Sequence, residues 1–516
     1  MSSSGGKVIT KLRERRQIEA DLRRMLDVTS EIELQRQARE MAARGPEVIP
    51  AFIGSLDQAE GPMLAALGMV AAHLDRTEVV RALYRVLQQP GRSYRGRMGA
   101  VAILERFLGV PVTDDLRPGL AEAVAVAVSS LGEVLDRSEE DPSLLAGMVQ
   151  SLDQQEPDVV LAVVWELRKM AGARPVELLR MTAQDVREEI AAEAVQALGG
   201  LRLPEAARAL QTLIPIAPPS LRPVAERLLR KLHFTGVEVA PLPAVSPELR
   251  ALAGPVDGQG QRFVWFIRDG PATAEARFLS VYVSDTAGAV EAVEHWRMHR
   301  RFLPPRRPVG TVHGIGDGTE ELLLVEVPFD LGRRLIAEAL ELNRETQIPV
   351  AGVLRLAGHW LWGTELAGFP ARVLPNLVTG DEALVAQSDQ LVSHPAFAGW
   401  RPGRQAAATA AEEAIRHPAW DREVWVRRLA AEWMAEPEMA LQLHRRLEAN
   451  SEWLEWAGEW HWARLALVTA RASRGEDPQQ LPFVQELVRR ELELALAGLM
   501  ASRVPGPGRD SMEGES

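Results

Sequence analysis

Cysteine is absent from all 516 residues. Disulfides, thiolate nucleophiles, zinc fingers and cysteine-ligated clusters are thereby excluded together. Lysine is almost absent too: only Lys7, Lys11, Lys169 and Lys231 occur, so arginine supplies nearly all of the 59 basic residues. None of the four stands in a GxxxxGKS or GxxxxGKT phosphate loop, and no lysine after position 231 is left for a Schiff base or a kinase-type site. Long apolar runs are missing as well. No stretch approaches the roughly 18 apolar residues of a spanning helix, and MSSSGGKVITKLRERR lacks the apolar core of an export signal. The expectation is a cytoplasmic chain with no membrane insertion.

What is present is ordinary for a folded protein, with 46% hydrophobic and 25% charged residues. The length exceeds what one core usually supports, so two or three domains, or an array with appendages, are expected. The formal charge of -12 disfavours sequence-independent binding to nucleic acid or an anionic membrane, both of which require phosphate neutralisation.

SLDQAE at Ser55 to Glu60 and SLDQQE at Ser151 to Glu156 are near-copies, each closing one amphipathic segment and opening another. Their offset of 96 residues is about three periods of roughly 32, within the range of two-helix repeats. From about Glu31 to His233 the helical period dominates, broken at Gly45-Pro46, Pro90-Gly91, Asp141-Pro142, Arg174-Pro175 and Pro218-Pro219. Helices joined by such short turns form antiparallel hairpins, and no hairpin buries its own apolar stripe. Stacking on neighbours solves this and leaves two exposed helical faces.

These residues resemble the HEAT-repeat family. Gly45 to Ile53, with its internal proline, looks like the family's first helix, with Asp57 at the turn and Ala65-Ala66-Leu67-Gly68 in the second helix. Asp185-Val186-Arg187, followed by Ala191, Ala194, Ala197, Leu198 and Gly199, is similar to the family's turn Asp, Val-Arg pair and second helix. Pro204 to Leu210 would open the next unit. The resemblance implies five to six units and a structural ladder role for Asp185 and Arg187, not a catalytic one. The stretch Asp114 to Arg137 fits it badly and reads as one long helix.

Pro241, Pro243 and Pro247 mark a boundary, beyond which the period changes to two. Arg262 to Ile267, Arg277 to Val283 and Glu321 to Val327 read as strands, with turn chemistry at Asp257-Gly258, Asp269-Gly270 and Asp317-Gly318. Helices are expected over Thr286 to His299 and Leu331 to Arg344, giving an antiparallel sheet of three or four strands covered on one face. From about Pro349 the pattern is helical again, and all of the 13 tryptophans except Trp165 and Trp265 lie at 296 or later. The expected fold is thus mainly α. A charged helix or cap (1–30) leads into a HEAT-like α-solenoid (31–235), a small α+β module (245–347), a Trp-rich helical region (348–503) and a disordered tail (504–516).

On a helix, Glu291, His295 and His299 would share one face at i, i+4 and i+8, the spacing helical zinc sites use, with His313 or Asp317 as a further ligand. A helix face that merely carries histidine is the competing explanation. Arg297, Arg300, Arg301, Arg306 and Arg307 form the densest basic cluster, suited to an anion or an acidic partner, or else a solvated loop. The glycines at 310, 314, 316 and 318 precede a strand and read as a hairpin, not a nucleotide loop. Trp453, Trp456 and Trp460 recur at helical spacing near Trp462 and read as core or a helix seam; a recognition groove is the alternative.

No catalytic constellation and no cofactor is expected. The function read from the sequence is a non-enzymatic scaffold presenting a concave HEAT-like surface to a protein partner. Two alternatives belong to other classes: a HEAT-like DNA-binding or DNA glycosylase-type protein, and a metal-assisted enzyme centred on the α+β module.

Overall fold

In the computed structural model, the described residues are 18, 21–22, 25, 31–58, 61–89, 92, 94–113, 131–270, 275–316, 321–401, 404–416, 420–475 and 477–503. The expectations for the leading segment, the tail and most of the helix over 114–137 therefore lie outside them, as do Asp317 and Gly318. The chain divides into two compact units, Met1–Ala183 with Arg187–Leu201, and Gln184–Val186 with Arg202–Ser516. It is mainly helical, with one antiparallel sheet. No helix among the described residues is long and apolar enough to cross a membrane.

The first unit is built of helices α1 (Glu31–Ala42), α2 (Val48–Ser55), α3 (Gly61–His73), α4 (Arg76–Leu87), α5 (Tyr94–Ala102), α6 (Ser143–Asp153), α7 (Pro157–Lys169), α8 (Val176–Thr182) and α9 (Glu188–Gly200). Their limits follow local chemistry. Asp75 caps α4 by accepting from Glu78 N at 2.9 Å, and Pro157 opens α7 where no amide donor is needed. Each helix packs on its successor or next-but-one: α1 on α3, α2 and α3 on α4, α4 on α5, α6 on α8, α7 and α8 on α9. Gly68 is required by contact, because a Cβ there would lie 2.5 Å from the Phe107 ring. Two arginines reach back about one period. Arg187 donates through Nη1 to Gln155 O at 2.7 Å and through Nη2 to Leu152 O at 3.3 Å. Arg92 does the same to Ile53 O at 3.4 Å and pairs with Asp57. A later arginine therefore reaches each repeated SLDQ phrase, at the Asp57 carboxylate in the first and at the Leu152 carbonyl in the second.

The second unit begins with α10 (Pro204–Leu213) and α11 (Arg222–Phe234). Six strands follow: β1 (Leu249–Ala253), β2 (Gln261–Asp269), β3 (Glu275–Ser284), β4 (Gly288–His299), β5 (Val312–Ile315) and β6 (Leu322–Val327). They are ordered β4-β3-β2-β1-β6-β5, every neighbour antiparallel. The segment expected as a helix over Thr286 to His299 is strand β4, and β1 and β5 enlarge the sheet beyond the three or four strands expected. α12 (Phe329–Thr346) covers one face, burying Leu331, Leu335, Ile336 and Ala339 against Ala251, Val264, Phe266, Leu279 and Val281. Gly332 permits this approach, since a Cβ there would sit 2.8 Å from both Ala251 Cβ and Phe266 Cε1. On the opposite face Leu252, Ile267, Phe278, Leu303 and Leu324 make a smaller cluster.

The remaining helices are α13 (Gly352–Leu361), α14 (Arg404–Arg416), α15 (Arg422–Trp433), α16 (Pro437–Trp456), α17 (Trp460–Ala472) and α18 (Pro482–Arg503). They are not a separate layer of structure. One apolar core runs from the α12 face of the sheet through Trp360, Trp362, Phe397, Trp400, Trp453 and Phe483. The helix α10 packs on α13, and 214–216 pack on α12, so the last helices read as part of the array share this unit. α16 is tied to the sheet by polar clamps: Trp453 Nε1 donates to Ala253 O at 2.7 Å, Asn450 Nδ2 donates to Val256 O at 2.8 Å, and Asn450 Oδ1 accepts from Val256 N at 2.6 Å. Of the tryptophan stripe, Trp453 is core at 4% exposure whereas Trp460 is 67% exposed.

Candidate functional site

The predicted metal triad does not share a helix face, because its residues lie on β4. Glu291 pairs with Tyr282, His295 with Phe278 and His299 with Glu275. The register shift between Ala276 and Phe278 turns His299 to the opposite face of the sheet from the other two. Glu291 and His295 are four strand residues apart, about 13 Å along the chain. Among the described residues no group of three His, Asp or Glu side chains is placed to hold a metal.

The arginine cluster divides. Arg300 and Arg306 lie 3.7 and 3.9 Å from the Asp269 carboxylate, and Arg297 is exposed. Arg301 and Arg307 instead line a hollow of about 760 Å³ together with Phe302, Pro304, Pro305, Pro308 and the residues of β5. Beneath it lies a buried ion cluster on the smaller sheet face. Arg250 donates to Glu326 at 2.8 Å and to Pro304 O at 2.8 Å, and His313 Nε2 lies 3.4 Å from Glu326 without a hydrogen bond.

A second cavity, about 430 Å³, was not foreseen. Strand alternation puts Arg262 on the face that Val264 and Phe266 share, where α12 covers the sheet. Past the end of the apolar patch Arg262 lines the cavity with Leu335, Glu338, Ala339 and Leu342 of α12, and Leu441, His444, Arg445 and Glu448 of α16. Arg372 and Arg474 complete the wall. Five arginines and three carboxylates line the space, so its balance is positive inside an acidic chain.

Most of these charges are engaged. Arg446 donates to Asp285 at 2.6 and 3.1 Å and to Gly258 O at 2.7 Å. Gly260, at φ +82°, makes room for that carboxylate, which a Cβ would strike. Arg372 donates to Glu448 at 2.9 Å, and behind it Arg334 Nη2 donates to both Glu452 oxygens at 2.7 and 2.6 Å. The part-buried Arg262 has no hydrogen-bond or ion-pair partner within bonding distance. Burial pushes its pKa below the usual guanidinium value; Glu338 and Glu452 oppose that shift, and Arg372 and Arg334 add to it. Arg445 and Arg474 stand exposed at the rim. His444 Nδ1 lies 2.6 Å from Ala470 O, which makes Nδ1 the protonated nitrogen. The arrangement presents guanidinium donors to an oxyanion.

The chain matches no family model, no curated protein and no solved structure.

Proposed function

We propose that this chain is a binding protein without chemistry of its own, whose second unit captures an anionic group, phosphate or carboxylate, in the arginine-lined cavity. The observation that carries this is Arg262: a part-buried guanidinium on a cavity wall with no hydrogen-bond partner. Such a group is costly in the folded state, and an oxyanion is the ligand that offsets the cost, since guanidinium donates two parallel bonds to phosphate or carboxylate. Arg445 and Arg474 at the rim would draw the anion in.

Calorimetry with inorganic phosphate and with a tricarboxylate tests this. The expected result is binding that weakens with salt and is lost in Arg262→Met. No binding of either anion by the natural chain, or equal binding by the variant, would overturn it.

A second role, for the first unit, is docking of a protein partner on a HEAT-like α-solenoid. The successor and next-but-one helix contacts and the one-period reach of Arg92 and Arg187 support the stacked arrangement. Trp165 supports the docking: it is 42% exposed, with Arg106 and Lys169 over its ring at 5.5 and 5.9 Å. A partner captured by the chain and retained fully by Trp165→Ala would count against it. The metal-assisted alternative loses its basis with the helix on which the ligand spacing depended.

A further inference from the structure

The hollow beside β5 lies apart from the cavity that holds Arg262, and a different set of observations bears on it. Glu326 O accepts from Gly310 N at 2.8 Å while Glu326 N donates to Thr311 O at 2.9 Å, a bulge at Gly310 that leaves Thr311 O facing β6. Antiparallel alternation beyond it makes His313–Leu324 and Ile315–Leu322 the hydrogen-bonded pairs. Val312 and Gly314 therefore turn their N–H and C=O groups away from β6. No described strand pairs with that side of β5, which is the last strand of the sheet.

The hollow is lined by every residue from Thr311 to Gly316 and, from the preceding loop, by Arg301 to Pro305, Arg307 and Pro308. Pro304, Pro305 and Pro308 carry no amide hydrogen, so the loop is poorly equipped to complete a ladder with β5 itself. It brings charge instead. The guanidiniums of Arg301 and Arg307 meet no carboxylate among the described residues, in contrast to Arg300 and Arg306 beside Asp269. Arg301 lies over the Phe302 ring at 4.6 Å, so the lining of the hollow is both basic and apolar there. His313 lines the hollow while its Nε2 is buried 3.4 Å from Glu326.

We propose that β5 accepts an extended acidic peptide from a protein partner as a seventh strand. Main-chain bonds to Val312 and Gly314 hold the added strand, and carboxylates at alternate positions, which share one side of a strand, meet Arg301 and Arg307. An edge strand is a template for such addition unless it is covered, and here the nearest cover is basic and proline-rich.

Fluorescence anisotropy tests this on the full chain with a labelled heptapeptide of alternating valine and glutamate. Two variants separate the contributions. Arg301→Glu with Arg307→Glu reverses the charge, while Val312→Pro removes an outward donor that takes no part in pairing with β6, a position where an edge strand tolerates proline. Thermal unfolding checks that each variant is folded. The expected result is binding by the natural chain, at least tenfold weaker in both variants. Full binding by Val312→Pro would overturn strand addition. So would equal affinity for a peptide with its glutamates in one block, equal affinity for a short oligonucleotide, or no binding by the natural chain.

Discussion

Replacing Arg262 by methionine should strengthen the fold and abolish anion capture at once. A buried polar group without a hydrogen-bond partner costs about 1–3 kcal/mol. Part burial and the attraction of Glu338 and Glu452 reduce that cost, and the side chain of methionine retains the contacts of the arginine stem. The expected gain is about 1 kcal/mol. Neither carboxylate is stranded by the change, because Glu452 keeps Arg334 and Glu338 keeps Arg334 at 3.5 Å and Arg372 at 3.9 Å. For a unit of this size, about 1 kcal/mol raises the unfolding midpoint by roughly 2 °C. Phosphate at about a hundred times its dissociation constant adds about 2.7 kcal/mol to the natural chain, or roughly 5 °C, and nothing to the variant. Scanning calorimetry of the second unit's transition, with and without phosphate, should therefore show the two proteins exchanging rank. A variant that is less stable without ligand, or that still gains stability from phosphate, would refute the reasoning.

Three further outcomes follow from features of the fold. Arg187→Ala removes two donors from the carbonyl end of α6, worth about 1–2 kcal/mol locally; amide exchange at 152–156 should quicken while the second unit is unaffected, and unchanged exchange would deny the tie. Gly332→Val forces branched carbon into a gap where even a Cβ lies 2.8 Å from Ala251 and Phe266, so the stability of the second unit, read from urea unfolding, should fall by about 1–3 kcal/mol. Burial raises the pKa of Glu455, whose Oε2 is buried without a partner. A carboxyl raised in the folded state contributes stability below its unfolded pKa and loses it as pH climbs through the folded value. Glu455→Gln should accordingly raise the thermal midpoint near neutral pH and change little below about pH 4, whereas an equal effect at both would contradict the assignment.

The strands over 262–267, 277–283 and 322–327 were legible because short runs rich in valine, leucine and aromatic residues stand there beside Asp-Gly turns. β4 was not, since GAVEAVEHWRMH is rich in helix-tolerant residues and a spacing of four keeps Glu291 and His295 on one face of either a helix or a strand. Only the register shift, a tertiary feature, separates His299 from them. The cavity around Arg262 is assembled from positions 338, 372, 444–448 and 474, which no local pattern joins. One trace of it was available. Arg262 is a charge on the register that Val264 and Phe266 mark as core-facing, and a charge at such a position needs a partner. The basic cluster was legible as a cluster, but which two of its members line the hollow depends on Asp269, which engages two of the others.

The clamps between α16 and the first strands bear on how the chain is made. Trp453 donates to the carbonyl of Ala253, and Asn450 brackets Val256, across nearly two hundred residues of intervening chain. During synthesis the sheet emerges well before the helix that closes over it, so the Arg262 face stays uncovered until the ribosome has released the chain past α16. The first unit, whose ties reach back about one period, can assemble as it emerges. Nascent chains stalled between 330 and 440 are where chaperone demand should concentrate.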